Sequence, residues 1–564
     1  MNRIILPIFF VTILHIACPL ILNGQQSKPV QTGERVVLFS DRTLYIAGEK
    51  ILFSAFIKSK VETNQAESSR ILYCELLTPD GNKIASDKFL ITNYSSSGSL
   101  DIPNDITTGI YYLRAYTRHM RNWGPSCYHY SLVKIVNAYR SDVQALETDT
   151  NLHEGTVLTG VAQKSENSLR ISSDKSQYYT RDTVNIQIDC NDSVQSSWKR
   201  LSISVVPEYS VSMDIVKHPE NRQLEEKPYY YAETRGLSIT GKIRDNKTGN
   251  LLPYTRVNLS IMGRGRDFMA MQTDSAGRFF FSLPDYTGYR DLFLSAESTG
   301  TSDPKILIDN DFCTILFPIP SNIFILTQQE REAAYNMAVN VQLDSYFYVD
   351  SIPDARNSQH EDHAFYGKPD EILYIDNFVQ LPTLEDYFNE LPFFVKVRKR
   401  EGEKYLKVLG TQTGLTTFDP LILVDLVAIE NPSMVLAIPP ANISHIEVVN
   451  MIYVKGDQTY GGIINIISKL GDFGGIDLPS SGIFINYRFL SDSSHYKGIY
   501  LPSPHFPDTR NTLYWEPKLG LNKSNSANVT FTTPDTPGRY LIILNGINLK
   551  GESFRQISTF EVRK

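Results

Sequence analysis

One eleven-residue pattern occurs twice and narrows the folds open to the chain. Asp41-x-x-x-Tyr45-x-x-Gly48-Glu49-x-Ile51 returns as Asp174-x-x-x-Tyr178-x-x-Arg181-Asp182-x-Val184. Each time, a turn with an acidic residue feeds an alternating strand, and such recurrence implies modules of one kind. From residue 33 to about 310, short alternating runs bounded by turn residues dominate and helical periodicity is rare, which predicts consecutive β-sandwiches. The first covers about 33–140. It includes the strand Ile51–Ile57, a hairpin turn at Pro79-Asp80-Gly81 and the alternating run Thr108–Tyr116. The second covers about 155–215 and includes Leu201-Ser202-Ile203-Ser204-Val205-Val206. The expected class is mainly β, with tandem immunoglobulin-like sandwiches.

Composition restricts function more than fold. The 564 residues contain 41% hydrophobic and 21% charged residues, near the globular average, enough for about three to five domains with their own cores. The net charge is -7, with no basic block, so a nucleic-acid partner is excluded: phosphate binding needs clustered Lys and Arg. Tyr outnumbers Trp by 32 to 3, which suits sheet surfaces and wet interfaces, where a ring is half buried and its hydroxyl solvated.

Met1-Asn2-Arg3, the apolar run Ile4–Leu22 and the polar stretch after it have the layout of a secretory signal peptide over 1–24, with cleavage expected between Gly24 and Gln25. Lipid attachment at Cys18 is the lesser reading, because His15 stands where an apolar residue is wanted and Pro19 follows. No later stretch approaches the ~20 apolar residues of a membrane helix, so the mature chain is expected to carry no transmembrane segment. Cys74, Cys127, Cys190 and Cys313 form no C-x-x-C pair. Cys74 and Cys127 fall in one predicted sandwich and are candidates for a disulfide in an oxidising compartment, with burial as small hydrophobes the alternative.

The D-x3-Y-x2-G-E turn and the Gly109-Ile110-Tyr111 strand resemble the macroglobulin-type sandwiches of bacterial alpha-macroglobulins, over about a third of the chain. Protease-trapping members acylate their target through a Cys-Gly-Glu-Gln thioester. None of the cysteines here stands in that context, so covalent trapping is excluded. Residues 236–310 are similar to the carboxypeptidase-regulatory-like sandwich: Gly241-Lys242-Ile243, a turn ending at Gly249, Pro253-x-x-x-Val257-x-Leu259, then Thr273-Asp274-x-x-Gly277-x-Phe279. The resemblance implies no peptidase chemistry; the glycines should serve turns, and Phe279 and Phe281 should face the core. Residues 327–370 read as a helix, best over 328–342, and a polar linker. In that linker His360-Glu361-Asp362-His363 is taken as solvated chain, not a metal site.

Residues 371–470 contain Thr383 as the cap of a short helix, with Asp386 completing a capping box. They also contain three ordered motifs: Pro420-Leu421-Ile422-Leu423-Val424-Asp425, Ile443-x-x-Ile446-Glu447-Val448 and Tyr460-Gly461-Gly462-Ile463-Ile464-Asn465-Ile466-Ile467-Ser468-Lys469. This order resembles the plug domain of TonB-dependent outer-membrane receptors, except that Leu426 replaces the usual Gly. About 95 residues follow Lys469, well short of the ~200 that 22 strands of ~9–11 residues need. A small α+β plug-like unit without its barrel is therefore expected. Residues 480–564 read as a C-terminal sandwich, a combination that resembles exported Bacteroidetes envelope proteins.

No nucleophile elbow, metalloprotease helix or phosphate-binding loop appears. Asp376, Asp425 and Glu447 read as turn or hydrogen-bonding acids, and Gly263-Arg264-Gly265-Arg266 as a hairpin tip. No catalytic residue, cofactor or metal is expected. The expected function is non-catalytic: an exported periplasmic or outer-membrane-associated binding or assembly protein, docking to an outer-membrane β-barrel or a secreted partner. The rivals are a non-covalent protease- or host-protein-binding relative of the macroglobulins, with 354–370 as its exposed segment, and an envelope hydrolase.

Overall fold

The two copies of the repeat fold into the same hydrogen-bonded corner. In the computed structural model the Tyr45 hydroxyl donates to Asp41 Oδ1 (2.7 Å), which also accepts from Leu52 N–H (3.2 Å). In the second copy the Tyr178 hydroxyl donates to Asp174 Oδ1 (2.5 Å), which accepts from Asn185 N–H (3.0 Å). The acid closing each turn accepts a backbone N–H three residues back: Ile46 to Glu49 (2.7 Å) and Tyr179 to Asp182 (2.9 Å). The structure describes residues 33–59, 68–144, 169–190, 200–211, 229–262, 267–298, 300–319, 323–347, 364–456, 458–491, 506–547 and 553–564. The signal peptide with Gly24 and Gln25, Cys18, the 263–266 hairpin tip and the His360–His363 stretch lie outside these residues.

The first sandwich is built from β1 (Glu34–Ser40), β2 (Leu44–Ile46), β3 (Lys50–Ser59), β4 (Ile71–Leu77), β5 (Lys83–Leu90), β6 (Ser95–Asp101), β7 (Gly109–Tyr116) and β8 (His129–Val136). One sheet has the order β1-β3-β6 and the other β2-β8-β7-β4-β5, antiparallel except where β2 runs parallel to β8. The second sandwich begins with β9 (Leu169–Ser173), β10 (Gln177–Tyr179), β11 (Thr183–Cys190) and β12 (Arg200–Pro207). The third sandwich follows, with β13 (Ser238–Asp245), β14 (Arg256–Ile261), β15 (Asp267–Gln272), β16 (Arg278–Ser282), β17 (Tyr289–Ala296) and β18 (Pro304–Ile308). Helix α1 (Gln328–Phe347) comes next.

The α+β unit contains β19 (Glu371–Tyr374), α2 (Leu384–Glu390), β20 (Val395–Arg400), β21 (Glu403–Val408), β22 (Leu421–Val424), β23 (Val427–Ala428), α3 (Pro432–Leu436), β24 (Ile443–Val449), β25 (Tyr453–Lys455), β26 (Gln458–Tyr460) and β27 (Ile463–Ser468). Its main sheet has the order β19-β24-β27-β22-β23. The expected capping box on α2 is present, with Thr383 and Asp386 exchanging side-chain-to-backbone bonds. The chain ends with β28 (Ile483–Arg488), β29 (Tyr514–Leu519), β30 (Ser526–Thr532), β31 (Gly538–Ile547) and β32 (Ser553–Arg563).

The class is mainly β with stacked sandwiches, as expected, but the separate C-terminal sandwich over 480–564 is corrected. Strand β28 joins the third sandwich, whose sheets have the orders β16-β13-β18 and β15-β14-β17-β28. Strands β29 to β32 complete the second, whose sheets have the orders β9-β11-β30 and β10-β32-β31-β12-β29. Strand for strand this is the topology of the first sandwich, including the parallel pair β10–β32. The units are therefore nested: the second sandwich encloses the third, and the third encloses the α+β unit.

The outer face of the β4–β7 pair carries polar and aromatic residues, yet both strands are buried on both faces. Cys313, on the segment leaving β18, donates its N–H to the Tyr116 hydroxyl (2.7 Å), and Arg114 donates to its carbonyl (3.3 Å). Beneath this strap Arg114 and Glu75 form a buried ion pair at 2.6 Å. Helix α1 lays Ala334 and Met337 on Leu44 and Ile46 of β2. The residue at its centre, Met337, accepts from Asn511 Nδ2 through its carbonyl (3.2 Å), which ties the helix to the second sandwich as well.

Candidate binding surfaces

Phe279 and Phe281 point into the core of the third sandwich, which turns Phe280 between them to the surface, 38% exposed. The segment Tyr229–Gly236 crosses from the second sandwich beside it. Tyr230 is pinned to the first sandwich: its N–H donates to Asn122 Oδ1 (2.8 Å), its carbonyl accepts from Asn122 Nδ2 (2.7 Å), and the Arg121 guanidinium lies 4.1 Å from its ring centroid. Tyr229 and Tyr231 are thereby left outward, 43% and 61% exposed. Three residues on, buried Glu233 accepts from the Tyr73 hydroxyl (3.0 Å) and Ser238 N–H (2.9 Å), with Arg118 at 4.0 Å. Burial pushes its carboxyl above the usual carboxylate range, and Arg118 opposes that shift.

Tyr229, Tyr231, Phe280, Arg118, Arg278 and Asp274 line a slot of about 220 Å³. A trough of about 620 Å³ shares Tyr231, Met271 and Phe280 with it and reaches Lys455 and Gly456 of the α+β unit. The sequence reading passed over these residues. Its available signal was the run Tyr229-Tyr230-Tyr231 and the central Phe of Phe279-Phe280-Phe281.

The second surface is on the α+β unit. One face of its sheet buries Leu373, Ile446, Val448, Ile464 and Ile466 under α2 and the β20–β21 hairpin. The opposite face packs on Phe268 and Ala270 of the third sandwich through Leu421, Leu423, Leu426, Ala428, Val449 and Ile463, with Phe365 and Tyr366 against the same cluster. The far half of that face stays open. Ile372 and Tyr374 of β19 stand outward there, Tyr374 48% exposed, beside Glu447 and His445 of β24. Phe378, Val379 (85% exposed), Phe394 and Leu470 are further exposed apolar residues of this unit. The segments are tied by Phe394 N–H donating to Glu371 (3.0 Å) and by the Lys469–Asp376 pair (2.9 Å).

The three acids weighed from sequence hold structure. Asp425 accepts from Ser468 N–H (2.8 Å), Ser468 Oγ (2.6 Å) and Phe473 N–H (2.9 Å). Asp376 is an exposed ion-pair partner. Glu447 accepts from the Tyr366 hydroxyl and lies 3.6 Å from His445 Nε2. Burial alone would raise its pKa, but the hydrogen bonds from His445 and Tyr366 hold it below the usual range. Ser444 Oγ contacts His445 Nδ1 at 3.1 Å. This Ser-His-Glu run lies along a single strand and lines neither the slot nor the trough.

Cys74 and Cys127, candidates for a disulfide or for burial as small hydrophobes, are not bonded to each other: both thiols are free. Cys74 is fully buried in mid-β4, where burial raises its pKa well above normal, and Cys127 is half-buried in the turn before β8. Among the described residues no helix is long and apolar enough to cross a membrane.

No family model matches the chain, and no curated protein does. Among solved structures, native Escherichia coli alpha-2-macroglobulin aligns at 9% identity over 95% of this chain and 40% of its own, with a TM-score of 0.23. The trypsin-activated Escherichia coli protein aligns at 9% identity over 94% and 42%, also at 0.23. The Yersinia pseudotuberculosis adhesin InvE aligns at 10% identity over 48% and 57%, at 0.14. The chain spans about two-fifths of the length of these two macroglobulins. At such TM-scores the likenesses carry no functional argument; the sandwiches are read from their own strand pairing.

Proposed function

We propose that this chain is a non-catalytic binding and assembly protein of the bacterial envelope, exported to the periplasmic or outer-membrane side. The nested sandwiches form its scaffold, and the α+β unit docks an outer-membrane β-barrel or a secreted protein. The observation that carries this reading is the open half-face around Ile372, Tyr374, Phe378 and Val379, exposed on a unit that is otherwise well packed. Several large apolar side chains exposed on one small unit are a feature of protein interaction sites. The neighbouring edge strand β19 offers unpaired backbone groups for further contacts.

The test is a photo-crosslinking amino acid placed at Tyr374 or Val379 in cells, with Tyr139 of the first sandwich as an exposed control. A defined covalent adduct from Tyr374 and Val379, absent from Tyr139, is the expected result. Labelling that is equal at all three sites, or absent from all three, rejects the docking face.

A further inference from the structure

We propose that the slot between Tyr229, Tyr231 and Phe280 binds a neutral oligosaccharide, a site separate from the docking face of the α+β unit. Three rings exposed by 38–61% converge on one cavity of about 220 Å³. Aromatic faces are apolar platforms with polar rims, and they suit the C–H face of a pyranose ring whose hydroxyls point sideways. The polar rim is present: Thr240 donates to Asp309 Oδ2 (2.6 Å), and Arg278 Nε donates to Asp274 Oδ2 (2.9 Å).

The existing ion pairs disfavour an ionic occupant. Arg278 is paired with Asp274, and Arg118 is shared between Glu233 and Thr240. Lys242 lies 5.7 Å from the centre of the Tyr229 ring. Arg118 and Arg278 are paired with Glu233 and Asp274, so an ion entering at either would have to displace an existing partner. A neutral ligand with many hydroxyls can hydrogen-bond to the paired groups without separating them.

Geometry argues against the main rival, an added peptide strand. Two of the three outward N–H groups of the β16 edge are occupied: Phe280 donates to Met271 Sδ (3.2 Å) and Arg278 to Asp274 Oδ1 (2.9 Å). On the β15 edge the Ala270 carbonyl is shielded by Gly456, where a Cβ would lie 2.4 Å from that oxygen. A strand finds only a broken ladder there. A ring-stacked ligand needs none, and the adjoining trough of about 620 Å³ takes its further residues.

The full chain is screened on an array of neutral oligomers of glucose, galactose, mannose, xylose and N-acetylglucosamine. Trigalacturonate and an uncharged hexapeptide serve as controls. The best binder is then titrated calorimetrically against the wild type, Tyr231→Ala and Phe280→Ala. Binding of at least one neutral oligomer is expected, weakened roughly tenfold by loss of either ring. Because both side chains are exposed, the thermal midpoints should not move, and that separates loss of binding from unfolding. No neutral binder, binding unchanged in both variants, or binding confined to the acidic or peptide probe each overturns the proposal.

Discussion

Arg181 occupies the place that Gly48 holds in the first copy of the repeat. Both residues are left-handed, at φ 65° and 87°. A side chain there costs roughly 1–2 kcal/mol. Arg181 offsets part of that cost through a bidentate pair with Asp535, at 2.7 and 2.8 Å. The pair is one-third exposed, where such contacts contribute about 0.2–1 kcal/mol. Arg181→Ala keeps the strain and loses the pair, so it should destabilise by about 0.5–1 kcal/mol. Arg181→Gly loses both and should fall within about 1 kcal/mol of the wild type, on the stable side; urea midpoints of the two variants check the order. Glu430 makes a different residue-scale case. Local desolvation and the neighbouring Glu297 push its carboxyl up to about 7, while Arg256 opposes; the residue is exposed overall, so solvent screening keeps the stability effect small. A raised folded-state pKa means that the protonated form stabilises. The contribution is complete below the ordinary glutamate range and is lost as pH rises through about 7. The contact between the α+β unit and the third sandwich should therefore loosen between pH 6 and pH 8, read as a falling urea midpoint, and Glu430→Gln should flatten the change. A wild-type midpoint that rises over that window would contradict the sign.

At the scale of elements, the clearest departure from expectation is the turn between β22 and β23. Val424 pairs with Val427, leaving Asp425 and Leu426 as a two-residue loop with both φ values positive, 46° and 70°. Such a loop favours Gly at its second position, and the missing Gly was visible in the sequence. What the sequence hid is the reason. Leu426 is buried against Phe268 and Ala270 of the third sandwich, and its carbonyl accepts from Ser260 Oγ (2.8 Å). Leu426→Gly should relieve about 1–2 kcal/mol of backbone strain and lose about 2–5 kcal/mol of packing, a net destabilisation of about 1–3 kcal/mol. A denaturant series that reports a more stable variant would mean that strain outweighs burial. Local chemistry was otherwise legible: the α2 capping box, the Asp-Tyr corners and the inward Phe279 and Phe281 depend on neighbours within a few residues. The outer face of β4 and β7 was not. Glu75 and Arg114 have the pattern of solvent-facing residues, and the strap around Cys313, some 200 residues later, covers them together with Tyr116 and Tyr128. The binding slot was hidden for the same reason, since it is assembled from segments near residues 118, 230 and 280.

The whole molecule turns on one interrupted hairpin. In the first sandwich β4 turns directly into β5, with Thr78 N–H donating to the Asn82 carbonyl (2.9 Å). The equivalent strands of the second sandwich, β12 and β29, pair from Val205 with Tyr514, yet about 300 residues separate them. A second repeat marks the displaced half. Thr107-Thr108-Gly109-Ile110-Tyr111 matches Thr536-Pro537-Gly538-Arg539-Tyr540, and each Tyr hydroxyl donates to the carbonyl of its Thr four residues back, at 2.6 and 2.8 Å. That match is spaced unlike the first repeat, so a search at constant spacing does not connect them. Closing a hairpin across about 300 residues instead of five costs roughly 3–4 kcal/mol if the intervening chain is an unstructured loop. Here the insert is folded, and its ends leave and re-enter on adjacent strands, so its own stability carries most of that cost. The second sandwich should then need nothing from its insert. Residues 169–207 joined to 513–564 through the five-residue turn Thr78–Asn82 should fold alone, with one cooperative unfolding transition by circular dichroism and slowly exchanging amides on β11, β12 and β31. Rapidly exchanging amides with no transition would show that the third sandwich and the α+β unit hold the second one together, and that the nest folds only as a whole.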